Sequence, residues 1–212
     1  MVRDTRPRCQ IYLVAEPGLD PATLVMALEA EDIACVLLRQ DAAREESLRP
    51  SIDVLQPVAH QHEVAFLIDD HPALAAETGC DGVHLSGNGE PIAAARRTLG
   101  ADAIIGASCG QSRHAAIVAG ASDVDYVAFG GFGGGPASKA PAEAADPELV
   151  SWWQAMMTIP CVAVGGVDLG NARELARAGA DFVAVAGGVW DHPDGPAAAL
   201  QAVAIELAAA FG

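Results

Sequence analysis

Two glycine pairs in the last quarter of the chain mark a candidate phosphate site. The phrases VAVGGV (162–167) and VAVAGGV (183–189) end two successive apolar runs in Gly165 and Gly166 and in Gly187 and Gly188. Glycine adopts positive φ readily and lets the backbone come close to an anion, whose oxygens backbone N–H groups can then bind. A tight turn would explain one such pair equally well, but two copies on successive runs favour a phosphate-binding cup.

A third glycine-rich segment carries the only lysine of the chain. This segment, FGGFGGGPASKAPAEAADP at 129–147, contains Lys139. Long loops of small residues are typical both of active-site lids and of disordered insertions. A lysine ammonium on such a loop can reach an anion as a point charge, and chance placement on a solvated loop is the alternative.

Charged side chains where two apolar runs end are candidate anion and metal ligands. Arg39 stands at the end of one run, and Asp69 and Asp70 at the end of the next. Successive strand residues point to opposite faces, so at most one of the two aspartates faces a shared site. One carboxylate together with substrate phosphates can hold Mg²⁺, while the alternative for Asp70 is an N-cap of a helix starting near His71. A buried arginine needs an anionic partner, here Asp69 or a ligand.

Two further polar residues belong to the following runs. His84 lies inside GVHLS, and Ser108 ends AIIGAS. We interpret His84 as a hydrogen-bonded interior histidine, with a role as acid or base as the alternative. Ser108 stands at a strand end, which in a parallel barrel is the side on which active sites form.

Eight apolar runs alternate with helical-period segments and have to position these residues. The runs lie at 11–15, 35–40, 64–70, 82–86, 103–108, 126–130, 161–166 and 182–188. Most are apolar almost throughout, which indicates strands covered on both faces, as in parallel sheets. The pattern predicts an α/β fold, a single-domain (β/α)₈ TIM barrel over 1–212 with phosphate-binding loops after strands 7 and 8; an open, doubly wound sheet is the alternative. Helix ends in a left-handed cap are expected at Gly79, Gly100, Gly120 and Gly179.

Composition narrows the class of partner. The formal net charge of −16 opposes binding to nucleic acid or anionic lipid, so a small-molecule partner is expected. No apolar run approaches the roughly 20 residues that cross a bilayer, and the start, MVRDTRPR, does not look like a signal peptide, which predicts a cytoplasmic protein. The five cysteines are dispersed without a CxxC pair and are expected to be core residues. A homodimer is one arrangement that the sequence allows.

The order of these segments resembles the thiamine phosphate synthase and thiazole tautomerase (TenI-like) family. The segments that carry the resemblance are YLVA, LLR, LIDD followed by DGVHL, IIGAS, DYVAFG with its glycine-rich loop, VAVGGV and AGADFVAVAGG, from about Ile11 to Val189. The resemblance implies a (β/α)₈ barrel that binds a thiazole phosphate and, in the synthases, a hydroxymethylpyrimidine diphosphate with Mg²⁺. In that reaction pyrophosphate leaves, a pyrimidine methylene cation forms, and the thiazole nitrogen captures it.

The resemblance also implies roles for individual residues. Asp70 matches the family's metal-binding Asp, and Glu90 could stand in for a second metal ligand that aligns with Gly89. Ser108 matches the strand-five Ser, and Lys139, with Ser138 beside it, the end of the diphosphate loop. Catalytic roles are thus expected for Lys139, Ser108 and Arg39, and phosphate binding for Gly165, Gly166, Gly187, Gly188 and Ser138.

The chain departs from the family pattern at several positions. Asp41 stands where the family has a lysine, Gly187 where it has a serine, and Gly110 where a tautomerase histidine is expected, with His114 nearby. The diphosphate loop has glycines in place of threonines. Two alternatives to a synthase therefore stay open: a non-catalytic binder of thiazole phosphate or another phosphate ligand, and a thiazole tautomerase or sugar-phosphate isomerase type of barrel enzyme.

Overall fold

The computed structural model describes residues 9–39, 45–86, 92–131 and 143–212, and only the backbone of 45–47. Eight parallel strands close into a barrel in chain order, each paired with its neighbours and the last with the first. The strands are β1 Gln10–Ala15, β2 Ile33–Leu38, β3 Ala65–Asp69, β4 Gly82–Leu85, β5 Ile104–Gly110, β6 Tyr126–Phe129, β7 Cys161–Ala163 and β8 Phe182–Val185. The predicted (β/α)₈ barrel is confirmed, and the open sheet is excluded.

Helices cover the outside of the barrel between successive strands. They are α1 Pro21–Ala30, α2 Glu45–Gln61, α3 Pro72–Thr78, α4 Ile92–Leu99, α5 Arg113–Gly120, α6 Pro147–Met156, α7 Ala172–Ala178, α8 Gly187–Trp190 and α9 Gly195–Ala208. Their apolar faces bury one core layer against the strands. None of the helices within the described ranges is long and apolar enough to cross a bilayer.

Only β1 ends at the predicted residue, and the carboxyl ends of β5, β7 and β8 show why the prediction failed. β7 ends at Ala163 rather than Gly166, because Gly165 and Gly166 adopt φ of +86° and +58° and turn the chain out of the sheet. β8 ends at Val185, since Gly187 already begins the short helix α8. β5 instead runs two residues past Ser108, through an irregular register between Ser108 and Gly110.

Three of the four predicted left-handed helix ends are confirmed. Gly79, Gly100 and Gly179 have φ of +73°, +91° and +103°, as a left-handed helix end requires. The prediction for Gly120 is wrong, because Gly120 is the last residue of α5 and the capping residue that follows it has a right-handed conformation. A Cβ on Gly120 would lie 3.1 Å from the ring of Trp153, so its small size serves packing against α6.

The five cysteines are buried and free, as expected. Burial raises the pKa of the Cys9 and Cys161 thiols to about 12. A thiol with so high a pKa carries almost no thiolate at neutral pH, so these residues act as small core side chains.

Three aspartates tie the amino-terminal ends of neighbouring strands together. Each precedes an even-numbered strand, and one of its carboxylate oxygens accepts a backbone N–H from the first or second residue of the strand before it at 2.7–2.8 Å. The pairs are Asp81 with Phe66, Asp125 with Ile105, and Asp181 with Cys161. The same oxygens also accept from a side chain on the covering helix: His60, Arg96 or Gln154. These contacts fix the floor of the barrel, opposite the candidate site.

Replacement of Asp181 by Ala is expected to lower the free energy of unfolding by about 2 kcal/mol, because the backbone N–H of Cys161 and the amide of Gln154 lose their acceptor. Urea denaturation measures this loss. The matched control is Asp32→Ala, at the equivalent exposed position before β2, where a change within about 0.5 kcal/mol is expected. Equal losses in both variants would contradict a specific role of the floor contacts.

Candidate functional site

Asp70 fastens the carboxyl ends of β3 and β4 to each other. Its backbone N–H donates to the carbonyl of His84 (3.0 Å), and its Oδ1 accepts the backbone N–H of Ser86 (2.8 Å). The residue has φ of +51°, a conformation that Asp tolerates better than most residues. The predicted N-cap alternative is wrong, because His71 precedes the first turn of α3 and no side chain caps it. Asp70 is thus held half-buried at the barrel mouth with its carboxylate oriented.

Arg39 and Asp69 form an ion pair at the same mouth. The Nε of Arg39 lies 3.0 Å from Oδ2 of Asp69, and both side chains are largely shielded from water. Arg39 directly follows β2 and Asp69 ends β3, and the pairing of these two strands brings their carboxyl ends side by side. Of the two partners left open for Arg39, the structure shows Asp69, so the guanidinium enters the site with part of its charge already compensated.

His84 lies inside the barrel and is fully buried. Its Nε2 is 2.8 Å from the hydroxyl of Ser108, and its Nδ1 is 2.9 Å from the hydroxyl of Tyr126, whose ring also stacks on the imidazole. The Tyr126 hydroxyl continues to that of Tyr12 at 2.8 Å. These contacts agree with the interpretation of His84 as a hydrogen-bonded interior histidine. They also make Ser108 part of the same hydrogen-bonded chain of side chains.

Burial lowers the pKa of His84 to about 3, and the nearby positive charge of Arg39 adds to the effect. The imidazole is therefore neutral at physiological pH. Both ring nitrogens already take part in hydrogen bonds, and the ring is closed off from solvent. Such a neutral imidazole is poorly suited to exchange protons with a substrate, which argues against a role of His84 as acid or base.

The free energy of unfolding is expected to fall as the pH drops below about 6.5, because the unfolded chain then takes up a proton on His84 that the folded barrel excludes. The loss is about 1.4 kcal/mol per pH unit and ends near pH 3, where the folded protein is also protonated. Urea unfolding of the wild type and of His84→Gln at pH 7 and pH 5 measures it. The wild type should lose about 2 kcal/mol more than the variant; parallel losses would contradict a buried neutral imidazole.

The loop after β7 is built on glycine for steric reasons. Gly165 is buried, and a Cβ on it would overlap the carbonyl oxygen of Glu143 and press on that of Gly131. Those two residues close the base of the glycine-rich loop, since the backbone N–H of Gly131 donates to the Glu143 carbonyl at 2.7 Å. Gly166, in contrast, is exposed, and a Cβ there would meet nothing within 4 Å. The loop thus has a packed side and an open side.

The loop after β8 opens on the same end of the barrel. Gly187 and Gly188 form the first turn of the short helix α8, and space is free in front of Gly188. The indole N–H of Trp190 anchors this helix by donating to the carbonyl of Val14 on β1 (2.7 Å). Free N–H groups of a short helix beside a glycine turn, after strands seven and eight, are the usual phosphate-binding arrangement of such barrels.

Several predicted site residues lie outside the described residues. These are Lys139, Ser138, Glu90, Gly89, Asp41 and the glycines of the diphosphate loop. His114 is described and is exposed on α5, away from the interior group around His84. In the described part of the chain, no cluster of three or more His, Cys, Asp or Glu side chains could hold a metal ion.

Residues 11–189 match the family model described as thiamine monophosphate synthase. The chain belongs to the thiamine monophosphate synthase family. It is 50% identical to the thiamine-phosphate synthase of Rhodospirillum centenum over 196 residues, covering 91% of this chain and 94% of that one. The thiamine-phosphate synthase of Hyphomonas neptunium is 41% identical over 93% of each chain. The predicted family is confirmed.

A solved structure supports the fold of this family member. Thiamine phosphate pyrophosphorylase from Pyrococcus furiosus matches with a TM-score of 0.80 at 24% sequence identity, over 96% of this chain and 97% of that chain. At this identity, the likeness concerns the barrel itself.

Four residues of the site were missed by the sequence analysis. Tyr12, Gly106 and Tyr126 lie in the predicted strands at 11–15, 103–108 and 126–130 without a role of their own, and Trp190 lies beyond the last run. One signal was available: counting alternate residues puts both tyrosines on the inward face, where a hydroxyl needs a polar partner. No sequence signal shows that a Cβ on Gly106 would overlap the Tyr126 ring.

Proposed function

We propose that this chain catalyses thiamine phosphate synthesis, joining hydroxymethylpyrimidine diphosphate to thiazole phosphate with release of pyrophosphate. The observation that carries the proposal is the 50% identity to a thiamine-phosphate synthase over 91% of the chain. The reaction is a transfer of a pyrimidinylmethyl group, so the protein is a transferase. The alternatives of a non-catalytic binder and of an isomerase are not favoured. His84 is buried and hydrogen-bonded at both ring nitrogens, which argues against the isomerase.

The geometry of the barrel mouth supports binding of the two substrates on two opposite sides. We assign the thiazole phosphate to the cup formed by Gly165, Gly166, Gly187 and Gly188, where the open space beside Gly166 and Gly188 lets an anion approach the backbone N–H groups. We assign the diphosphate to the opposite side, where Arg39 follows β2, Asp70 follows β3 and Ser108 lies two residues before the end of β5. Lys139 and Ser138 would add a cation and a hydroxyl from the loop between β6 and α6.

A magnesium ion fits this arrangement through one protein carboxylate. Oδ1 of Asp70 is used by Ser86, and nothing else among the described residues bonds to its other oxygen, which leaves that oxygen for a ligand. Mg²⁺ is usually bound by one or two carboxylates together with substrate phosphates. We therefore propose Asp70 as its protein ligand, with Glu90 as the second candidate. When bound, the ion neutralises the charge of the leaving diphosphate.

The residues of the chain supply binding, orientation and electrostatic stabilisation. The carbon–oxygen bond to the diphosphate breaks, negative charge builds up on pyrophosphate, and positive charge builds up on the pyrimidine methylene group. The Ser108 hydroxyl, the Arg39 guanidinium and the Lys139 ammonium stabilise the former. The glycine cup holds the thiazole phosphate so that its ring nitrogen can attack the methylene carbon.

We also propose that residues 1–212 work as one barrel domain in the cytoplasm on small phosphorylated ligands. The net charge of −16 supports small ligands over nucleic acid and anionic membranes. A homodimer is compatible with this function and is not required by it.

Pyrophosphate release by the purified chain tests the proposed function. With both substrates and Mg²⁺, stoichiometric formation of pyrophosphate and thiamine phosphate is expected; omission of thiazole phosphate is the control. Calorimetric titration with thiazole phosphate accompanies the assay. Binding without turnover would support the non-catalytic binder, and absence of both would overturn the proposal.

A further inference from the structure

A continuous chain of hydrogen bonds crosses the interior of the barrel from β1 to β5. It runs from the Tyr12 hydroxyl to that of Tyr126 (2.8 Å), on to Nδ1 of His84 (2.9 Å), and from Nε2 of His84 to Ser108 (2.8 Å). The first three residues are buried, with exposed fractions of 2%, 6% and 0%. Ser108 alone is partly exposed, at the mouth. The chain of hydrogen bonds therefore has one end closed off from solvent and one end that opens toward the barrel mouth.

The buried end at Tyr12 determines which group donates and which accepts in each hydrogen bond of the chain. Each hydroxyl has one proton to donate, so the chain can run from Tyr12 toward Ser108 or the other way. If it ran toward Tyr12, the Tyr12 proton would have no oxygen acceptor among the described residues and would be left with its hydrogen bond to the Cys35 sulfur, a weak acceptor. Running toward Ser108, Tyr12 donates to Tyr126 and Tyr126 donates to Nδ1. His84 then carries its proton on Nε2 and donates it to Ser108.

The packing around His84 keeps this arrangement rigid. The Tyr126 ring stacks on the imidazole with centroids 5.6 Å apart and an interplanar angle of 22°. The ring occupies the space that a side chain on Gly106 would fill. Burial and the nearby Arg39 keep the imidazole neutral, so one ring nitrogen donates while the other accepts.

We propose that His84 is a positioning residue whose Nε2–H donates to Ser108, so that the Ser108 hydroxyl presents its proton to an anion at the barrel mouth. The identification of that anion as the departing diphosphate rests on the proposed function. A hydroxyl whose lone pair is already engaged is oriented before the reaction, and it stabilises developing negative charge without further reorganisation. Tyr126 acts through His84 by holding its tautomer.

A double-mutant cycle tests whether Tyr126 acts through Ser108. Tyr126→Phe removes one hydroxyl and is expected to lower kcat about 10-fold, with the KM for thiazole phosphate unchanged. Ser108→Ala is expected to lower kcat about 100-fold, and adding Tyr126→Phe to it should cause no further loss. Independent, multiplicative losses would overturn the proposal. Thermal unfolding of each variant shows whether it remains folded.

Tyr12→Phe is the matched control, since it makes the same chemical change one step further from Ser108. In the proposed direction Tyr126 still donates to Nδ1 without it, so kcat should fall less than about 3-fold. A loss in Tyr12→Phe as large as that in Tyr126→Phe would indicate the opposite direction and overturn the proposal.

Two measurements that need no turnover separate this inference from the proposed function. Nitrogen-15 NMR of the His84 side chain should show the proton on Nε2 in the wild type and a mixture of tautomers in Tyr126→Phe; a wild-type proton on Nδ1 would overturn the inference. Calorimetry with inorganic pyrophosphate and Mg²⁺ should show affinity about 10-fold weaker in Tyr126→Phe. Unchanged affinity would also overturn it. Failure of the synthase assay with both of these results intact would reject the proposed function alone.

Discussion

Replacement of Asp70 by Asn is expected to lower kcat for pyrophosphate release by about 100-fold or more without unfolding the barrel. The amide oxygen of Asn can still accept the backbone N–H of Ser86, and Asn tolerates the positive φ of this position as Asp does. Only the negative charge is lost, and with it the protein ligand proposed for Mg²⁺. Steady-state kinetics at increasing Mg²⁺ concentration measures the effect, which should include a higher Mg²⁺ requirement.

Comparison with Asp70→Ala separates the contribution of Asp70 to stability from its contribution to turnover. Alanine removes the acceptor of the Ser86 N–H and disfavours φ of +51°, so the free energy of unfolding should fall by about 2 kcal/mol in addition to the loss of activity. Asp70→Asn should unfold at a temperature close to that of the wild type. Near-normal turnover of Asp70→Asn at unchanged Mg²⁺ would reject the proposed metal ligand.

The barrel could be predicted from the sequence because its signals are local and repeated. A near-continuous apolar run followed by a helical period recurs eight times, and this repetition leaves few topologies. The ends of the strands were less certain, since they depend on backbone conformations that the residue type only permits. Gly165 takes a positive φ and leaves the sheet, whereas Gly110 also takes a positive φ yet remains assigned to β5.

The convergence of the site could be predicted for the same topological reason. Arg39, Asp69, Asp70 and Ser108 lie at the same end of the barrel because the carboxyl ends of parallel strands share one edge. Their individual partners could not be predicted, because these depend on register and on local angles. Lys139, Ser138 and Glu90 remain predictions, since the described residues do not include them.

The interior hydrogen bonds show where sequence reasoning ends. Tyr12 and Tyr126 are 114 positions apart, and nothing local indicates that their hydroxyls meet. Their contact requires closure of the barrel, which brings inward residues of strands far apart in the chain together. It also requires the absence of a side chain at Gly106, next to which the Tyr126 ring lies. Long-range contacts of this kind follow from the three-dimensional structure alone.

The adjacent glycines after β7 are expected to differ in how much stability they lose when replaced by alanine. Gly165→Ala should lower the free energy of unfolding by about 3 kcal/mol or more, because φ of +86° disfavours alanine and its Cβ would overlap the Glu143 carbonyl. Gly166→Ala should cost about 1 kcal/mol, since only its φ of +58° is unfavourable and the space beside it is open. Urea denaturation of the two variants measures the difference.

Ligand binding then distinguishes a phosphate cup from a tight turn. A methyl group on Gly166 would stand on the open side of the loop, where the thiazole phosphate is proposed to approach the backbone N–H groups. Gly166→Ala should therefore weaken calorimetric binding of thiazole phosphate about 10-fold or more while the protein stays folded. Gly188→Ala, also facing open space, should weaken it as well. If both variants bound thiazole phosphate like the wild type, the repeated glycines would serve only the turns that end β7 and β8.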